Sequence, residues 1–209
     1  MATSGEMVSA VAEVMGVPVS KVETLDRRLS ENGLRTKGGR GRAAAHMTAL
    51  DVTNLVFAVM SGAGMTEAPG ATEKMTNIPR GLISTNLELA SDGMGGFTKS
   101  AGWRFAEPAE LDLFPVGPSL ASAKTFGEAV AVILDAMAAD QVKLSDDVVL
   151  TLKFSTDGPD ASLSFKVRED RLRVQFLTAR ADRETPVVKQ ELTLDGTVMQ
   201  RLAHLIIPI

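Results

Sequence analysis

The chain has 209 residues, 44% of them hydrophobic and 23% charged, which is typical of a folded protein with one large or two small domains. Its formal net charge is −4, and the absence of cysteine excludes disulfides and thiolate chemistry. No apolar run approaches the roughly 20 residues of a membrane helix, and no signal peptide is predicted. We therefore expect a cytoplasmic protein with no membrane partner.

The first two predicted elements are helices separated by about four residues. Hydrophobic residues recur at helical spacing from Ser4 to Met15, with Ser4 as the expected N-cap. The second helix is predicted to begin at a capping box of Ser20 and Glu23 and to end at Asn32. This spacing is typical of a helix-turn-helix unit, in which the second helix enters the major groove of DNA. An ordinary helical hairpin with a solvated charged face is the alternative.

Positive charge is concentrated after the second helix begins. Residues 27–42 contain six basic residues and one acidic residue, a balance of +5, so the rest of the chain sums to −9. The centre of this segment is KGGRGR, residues 37–42, which we call the Gly/Arg loop. Its glycines allow the backbone to approach a ligand closely, and its basic side chains suit phosphate oxygens. The candidate nucleic-acid-binding residues are Lys21, Arg27, Arg28, Arg35, Lys37, Arg40 and Arg42.

Other interpretations of the Gly/Arg loop are a solvated linker, a site for a small anion and a contact with an acidic protein. In a winged helix, a hairpin after the recognition helix grips the DNA backbone. Residues 34–46 are a candidate for that hairpin, although the three alanines at 43–45 are poor strand formers.

A third helix is predicted to follow Thr48 and to end near Met60. Thr48 is the expected N-cap, and Asp51 at the third helical position suits the helix dipole. The helix is apolar on nearly all sides, so we expect it to be buried on two sides, in the core or in a dimer interface.

The run KGGRGRAAAHMTALDVTNLVFAVM, preceded by LDRRLSENGL, resembles the N-terminal part of uncharacterised proteins encoded in prophage regions of alphaproteobacteria. The resemblance covers residues 8 to 61. It implies a phage-related context and supplies no catalytic residues.

The middle of the chain, residues 62–122, is rich in proline and glycine, which prevents long regular elements. A strand is predicted from Leu82 to Leu89, and a second short strand at Trp103 to Phe105. We interpret this segment as an irregular excursion docked on the core, with Trp103 as a packing anchor.

The last part of the chain combines two helices with four strands. A helix is predicted from Thr125 to Gln141, and another begins at Asp195. Between them, period-2 alternation and regularly spaced turns predict a four-stranded antiparallel meander. Its strands are expected near residues 148–155, 163–167, 172–176 and 188–194, with a solvated face that carries Lys153, Lys166, Arg171 and Arg173.

The predicted fold is therefore α+β, with three parts. Residues 1–61 form a helix-turn-helix-like helical unit that binds DNA, residues 62–122 an irregular middle, and residues 123–209 an antiparallel meander covered by helices.

Chemical motifs are sparse. The two histidines, His46 and His204, lie on different predicted elements, and no G-x-S-x-G motif occurs, so we expect no catalytic site, metal or cofactor. Aromatic residues make up 4% of the chain, which argues against a base-stacking platform for single strands. We expect a phage-related transcriptional regulator that binds double-stranded DNA and assembles as a homodimer or higher oligomer. A phage structural or assembly component without DNA binding is the alternative.

Overall fold

The structure, a computed structural model, describes residues 3–37, 46–89, 97–155, 160–168, 170–177 and 191–205. Within these ranges the chain forms eight helices and six strands. The helices are α1 (Ser4–Met15), α2 (Val19–Glu31), α3 (Ala49–Met60), α4 (Ala68–Thr76), α5 (Pro108–Leu111), α6 (Gly117–Ser122), α7 (Phe126–Ala138) and α8 (Gly196–Ala203). The strands are β1 (Arg80–Leu89), β2 (Phe97–Phe105), β3 (Val148–Ser155), β4 (Asp160–Val167), β5 (Asp170–Phe176) and β6 (Glu191–Asp195). The predicted α+β class is confirmed.

Helix α3 lies at the centre of the helical layer, in contact with α1, α2, α4 and α7. Ten of its twelve residues are buried, while Leu50 is 42% exposed. The predicted burial on two sides is confirmed, and the burial is within this chain's own core. The ring of Phe57 stacks on Phe126 of α7 with 5.1 Å between centroids, and Phe126 lies 5.3 Å from Phe176 of β5. These three rings connect the helices to the sheet.

The six strands form one antiparallel sheet in the order β2-β1-β5-β4-β3-β6. Register places one row of apolar residues across five strands, facing the helices: Ile83, Val174, Leu163, Leu152 and Leu194. The alternate residues of β3, β4 and β5 are intermediate or exposed. One sheet face is therefore covered by helices and the other, which we call the outer face, meets solvent.

The prediction of a four-stranded meander is wrong in order and in strand number. Strands β3, β4 and β5 follow one another as hairpins, but β6 pairs with β3 and not with β5. The other edge of β5 is occupied by β1, which carries β2 beside it. The proline-rich middle of the chain thus supplies two strands to the sheet.

That middle segment also contains helices that the sequence did not indicate. Helix α4 has Pro69 in its first turn, where proline is tolerated because the missing N–H has no partner within the helix. Its buried residues include Ala68 and Met75, which belong to the same core cluster as residues of α1 and α8. No helix in the described ranges has both the length and the apolar character needed to cross a membrane.

Replacing Gly127 by alanine is expected to lower the free energy of unfolding by about 1–3 kcal/mol through overpacking. A Cβ at Gly127 would lie 2.4 Å from Cγ2 and 3.1 Å from the carbonyl oxygen of Thr76, because α7 begins against the end of α4. Gly70→Ala in α4 is the matched control, because a Cβ there meets nothing within 4 Å. We expect that control to gain about 0.4–1 kcal/mol. Urea unfolding of both variants tests the close approach of Gly127 to Thr76. If both variants were more stable than the parent, this close approach would be contradicted.

Candidate nucleic-acid interface

Helix α2 carries three of the predicted contact residues: Lys21, Arg27 and Arg28. It follows α1 after residues 16–18, and its N-cap is Pro18 with no capping side chain, so the predicted capping box at Ser20 is wrong. The side chains of Arg27 and Arg28 are 67% and 44% exposed, and Lys21 is partly exposed. Helix α2 therefore presents these basic side chains to solvent, on the same helix as exposed Glu23 and Glu31.

The carboxylate of Glu31 balances part of this charge. Its Oε2 lies 3.0 Å from Nη1 of Arg28, and its Oε1 lies 4.0 Å from Nε of Arg27. Exposed ion pairs of this kind contribute about 0–1 kcal/mol. A phosphate can therefore replace Glu31 at little cost.

Arg35 is placed differently from the arginines of α2. Its side chain is only 15% exposed, and its Nε lies 2.8 Å from Oδ1 of Asp26, although the N–H does not point at that oxygen. Its Nη1 donates to the carbonyl of Thr36 at 2.9 Å. The other carboxylate oxygen of Asp26 accepts a hydrogen bond from Ser4 Oγ at 2.9 Å. The ion pair of Arg35 with Asp26 thus links the chain after α2 to α2, and Asp26 in turn is bonded to Ser4 of α1.

One buried carboxylate holds both ends of the segment that contains the Gly/Arg loop. Oδ1 of Asp51 accepts the N–H of Thr36 at 2.7 Å, before the loop. Oδ2 accepts the N–H of Thr48 at 2.9 Å and its hydroxyl at 2.8 Å, after the loop. Thr48 Oγ1 in turn accepts the N–H of Asp51, which confirms the predicted N-cap of α3. We call this arrangement the Asp51 clamp.

Asn54, one helical turn after Asp51 on α3, makes a second set of contacts. Nδ2 of Asn54, on α3, donates to the carbonyl of Leu34 at 2.7 Å. Oδ1 of the same amide accepts the hydroxyl of Thr76, at the end of α4, at 2.7 Å. Met47 is 1% exposed and lies in the core on the other side of the loop. Both ends of the loop segment are therefore fixed on α3.

Residues 38–45 lie outside the described part of the chain, and they include Arg40 and Arg42 of the Gly/Arg loop. Lys37, at the loop's first position, is exposed. The predicted wing hairpin also falls mainly on this range. Its described flanks, residues 34–37 and 46–48, contain no strand.

Burial raises the pKa of Asp26 above the ordinary value of 3.8, and the Ser4 hydroxyl and the Arg35 guanidinium only partly oppose this effect. A raised folded pKa contributes stability that is present below the unfolded pKa and is lost as the pH rises through the folded pKa. We therefore expect the free energy of unfolding of the parent to fall, relative to Asp26→Asn, as the pH rises from about 4. Urea unfolding of both proteins between acid and neutral pH measures the difference. A parent that gains stability over this window would mean that the Arg35 ion pair outweighs burial.

The outer face of the sheet holds the four basic residues predicted for a solvated surface: Lys153, Lys166, Arg171 and Arg173. Lys153 pairs with Glu191 of β6 at 2.6 Å. The guanidinium carbon of Arg173 lies 4.4 Å from the ring centroid of Trp103. Trp103, the predicted packing anchor, is 41% exposed and therefore only partly buried.

Within the described part of the chain, no group of three or more His, Asp or Glu side chains is arranged to hold a metal ion. No protein-family model, curated protein or solved structure matches the chain. Function is therefore inferred from the clamped loop and the exposed basic residues of α2.

Proposed function

We propose that the chain is a phage-related DNA-binding protein, with a role in transcription regulation, that holds duplex phosphates with its Gly/Arg loop. The observation that carries this proposal is the Asp51 clamp, which fixes both ends of a segment containing Lys37, Arg40 and Arg42. A solvated linker has no need of a buried carboxylate and a buried amide at its base. Fixed ends reduce the conformational freedom that the loop loses on binding, so more of the contact energy appears as affinity.

Helix α2 supplies the second part of the proposed interface. Its inner face, with Val22, Leu25 and Leu29, is buried, while Arg27 and Arg28 point to solvent. In helix-turn-helix proteins the second helix lies in the major groove and dimers bind two half-sites. Homodimer or higher-oligomer formation on duplex DNA is therefore part of the proposal.

Titration of a fluorescently labelled duplex at several salt concentrations tests the proposal. Each phosphate contact releases counterions, so the logarithm of the affinity falls with the logarithm of salt by about 0.9 per contact. We expect Arg27→Ala with Arg28→Ala to make this slope shallower by about 1.8. The charge-matched control combines Lys124→Ala and Lys143→Ala, two exposed residues away from α2, and is expected to retain the parent slope. Salt-independent affinity, or no binding at low salt, would contradict the proposal.

The alternative is a phage structural or assembly component that does not bind DNA. The burial of α3 inside the core removes one reason for this alternative, but exposed Leu82 and Phe105 beside the β2 edge of the sheet still favour it. Light scattering discriminates between the two. A large oligomer without duplex affinity supports assembly, whereas a dimer that binds duplex supports regulation.

A further inference from the structure

Exposed aromatic side chains lie together on the outer face where β1, β2 and β5 adjoin. Three of the seven exposed large hydrophobic residues in the described ranges are here: Leu82 at 45%, Trp103 at 41% and Phe105 at 68%. Together with Ser84, Arg173 and Gln175 they line a shallow depression of about 480 Å³. We call this surface the aromatic patch.

Strand register orders the residues of the aromatic patch. Phe105 pairs with Ser84, and Ser84 pairs with Arg173, so the three lie in one row across β2, β1 and β5. Trp103 is two residues from Phe105 on β2, a separation of about 7 Å between Cα atoms on the same sheet face. Two aromatic rings thus lie on one strand, and the guanidinium of Arg173 lies over one face of the Trp103 ring, 4.4 Å from its centroid.

The charge around the patch is positive. Among the described outer-face residues of β4 and β5, the basic side chains are Lys166, Arg171 and Arg173, and the one acidic side chain is Asp160. Of the described acidic side chains of this face, Glu191 and Asp195 belong to β6 at the opposite edge, whereas Asp160 lies on β4, near Gln175 of the patch. Polyanions are therefore attracted to the half of the face that holds the aromatic rings.

We propose that the aromatic patch binds single-stranded nucleic acid, with bases stacked on Trp103 and Phe105 and phosphates held by Arg171, Arg173 and Lys166. Aromatic rings in a positively charged groove are the recurring means of binding single strands without sequence preference. A second copy of this chain is disfavoured where two aromatic patches face each other about a two-fold axis, because the same basic residues would then meet one another. This site uses none of the residues proposed for duplex binding, so either proposal can fail without the other.

Trp103 is the only tryptophan of the chain, so its fluorescence reports on the patch directly. In a titration of the full chain with oligothymidylate, stacking is expected to quench this fluorescence. Phe105→Ala keeps the reporter and is expected to weaken binding by about 5- to 140-fold, the equivalent of 1–3 kcal/mol for one stacked base. Leu113→Ala is the control, because Leu113 is 46% exposed and lies outside the sheet. It is expected to bind as the parent does.

Three results would overturn the proposal. The first is Trp103 fluorescence that does not change with oligothymidylate. The second is quenching of Trp103 fluorescence that increases with protein concentration when no oligothymidylate is present, which would identify a second copy of the chain as the occupant. The third is equal quenching by polyglutamate, which would mean that charge without base stacking explains binding. The Arg40→Ala and Arg42→Ala double variant should retain single-strand affinity, which separates this site from the duplex interface.

Discussion

Replacing Phe126 by alanine is expected to lower the free energy of unfolding by about 3–5 kcal/mol. Phe126 is 1% exposed and stands between Phe57 of α3 and Phe176 of β5, with ring centroids 5.1 and 5.3 Å away. The substitution removes both ring contacts. It also leaves a cavity between the helical layer and the sheet, which the two layers cannot fully close. Urea unfolding at neutral pH, followed by circular dichroism, measures the loss.

The control for this measurement is Leu113→Ala, at a side chain that is 46% exposed. Surface substitutions of this kind change stability by about 0.5 kcal/mol or less. If Phe126→Ala costs no more than the control, the helical layer and the sheet do not share the core described above. A variant that melts in two separate transitions would lead to the same conclusion.

Replacing Asp51 by alanine is expected to cost about 2–4 kcal/mol, since it removes an N-cap partner and leaves three partly buried donors without their acceptor. The carboxylate is 4% exposed and accepts from Thr36 N–H and from both donors of Thr48. Asp51→Asn keeps one acceptor oxygen and is expected to lose less. Asp146→Ala, at an exposed aspartate before β3, is the control and should change stability by about 0.5 kcal/mol or less.

Loss of the Asp51 clamp is expected to change local amide exchange as well as the free energy of unfolding. Amide hydrogen exchange at Thr36 and Thr48 is expected to accelerate together in Asp51→Ala, because both N–H groups lose the same acceptor. Acceleration at Thr48 alone would mean that Asp51 only caps α3. The loop segment would then have no common anchor at its two ends.

Helices and hairpins of this fold were predictable where local signals are strong. Thr48 and Asp51 predict the start of α3, and Thr125 predicts the start of α7. In each case a capping hydroxyl precedes a long run of apolar residues at helical spacing. Period-2 alternation and turn residues likewise indicated β3, β4 and β5. Strand order was not predictable, because the partner of β6 is decided by which edge is left open once β1 pairs with β5.

In the candidate interface, too, local features were predictable from the sequence and tertiary contacts were not. Clustered basic residues were visible in the sequence, but their partners were not. Charge alone does not distinguish Arg35, which is paired with Asp26, from Arg27, which is exposed. The contact of Asp51 with Thr36 joins residues fifteen positions apart, and no periodic pattern signals it. The aromatic patch was missed because a low aromatic content says nothing about where a sheet places the few rings present.

The most direct test of the central claim is the salt dependence of duplex affinity in the Arg40→Ala and Arg42→Ala double variant. Glycine-flanked arginines in a loop carry little packing, so the melting temperature is expected to stay close to that of the parent. Loss of two phosphate contacts should make the log–log salt slope shallower by about 1.8. A variant that melts normally and binds duplex with the parent's slope would contradict the claim that the clamped Gly/Arg loop holds DNA phosphates.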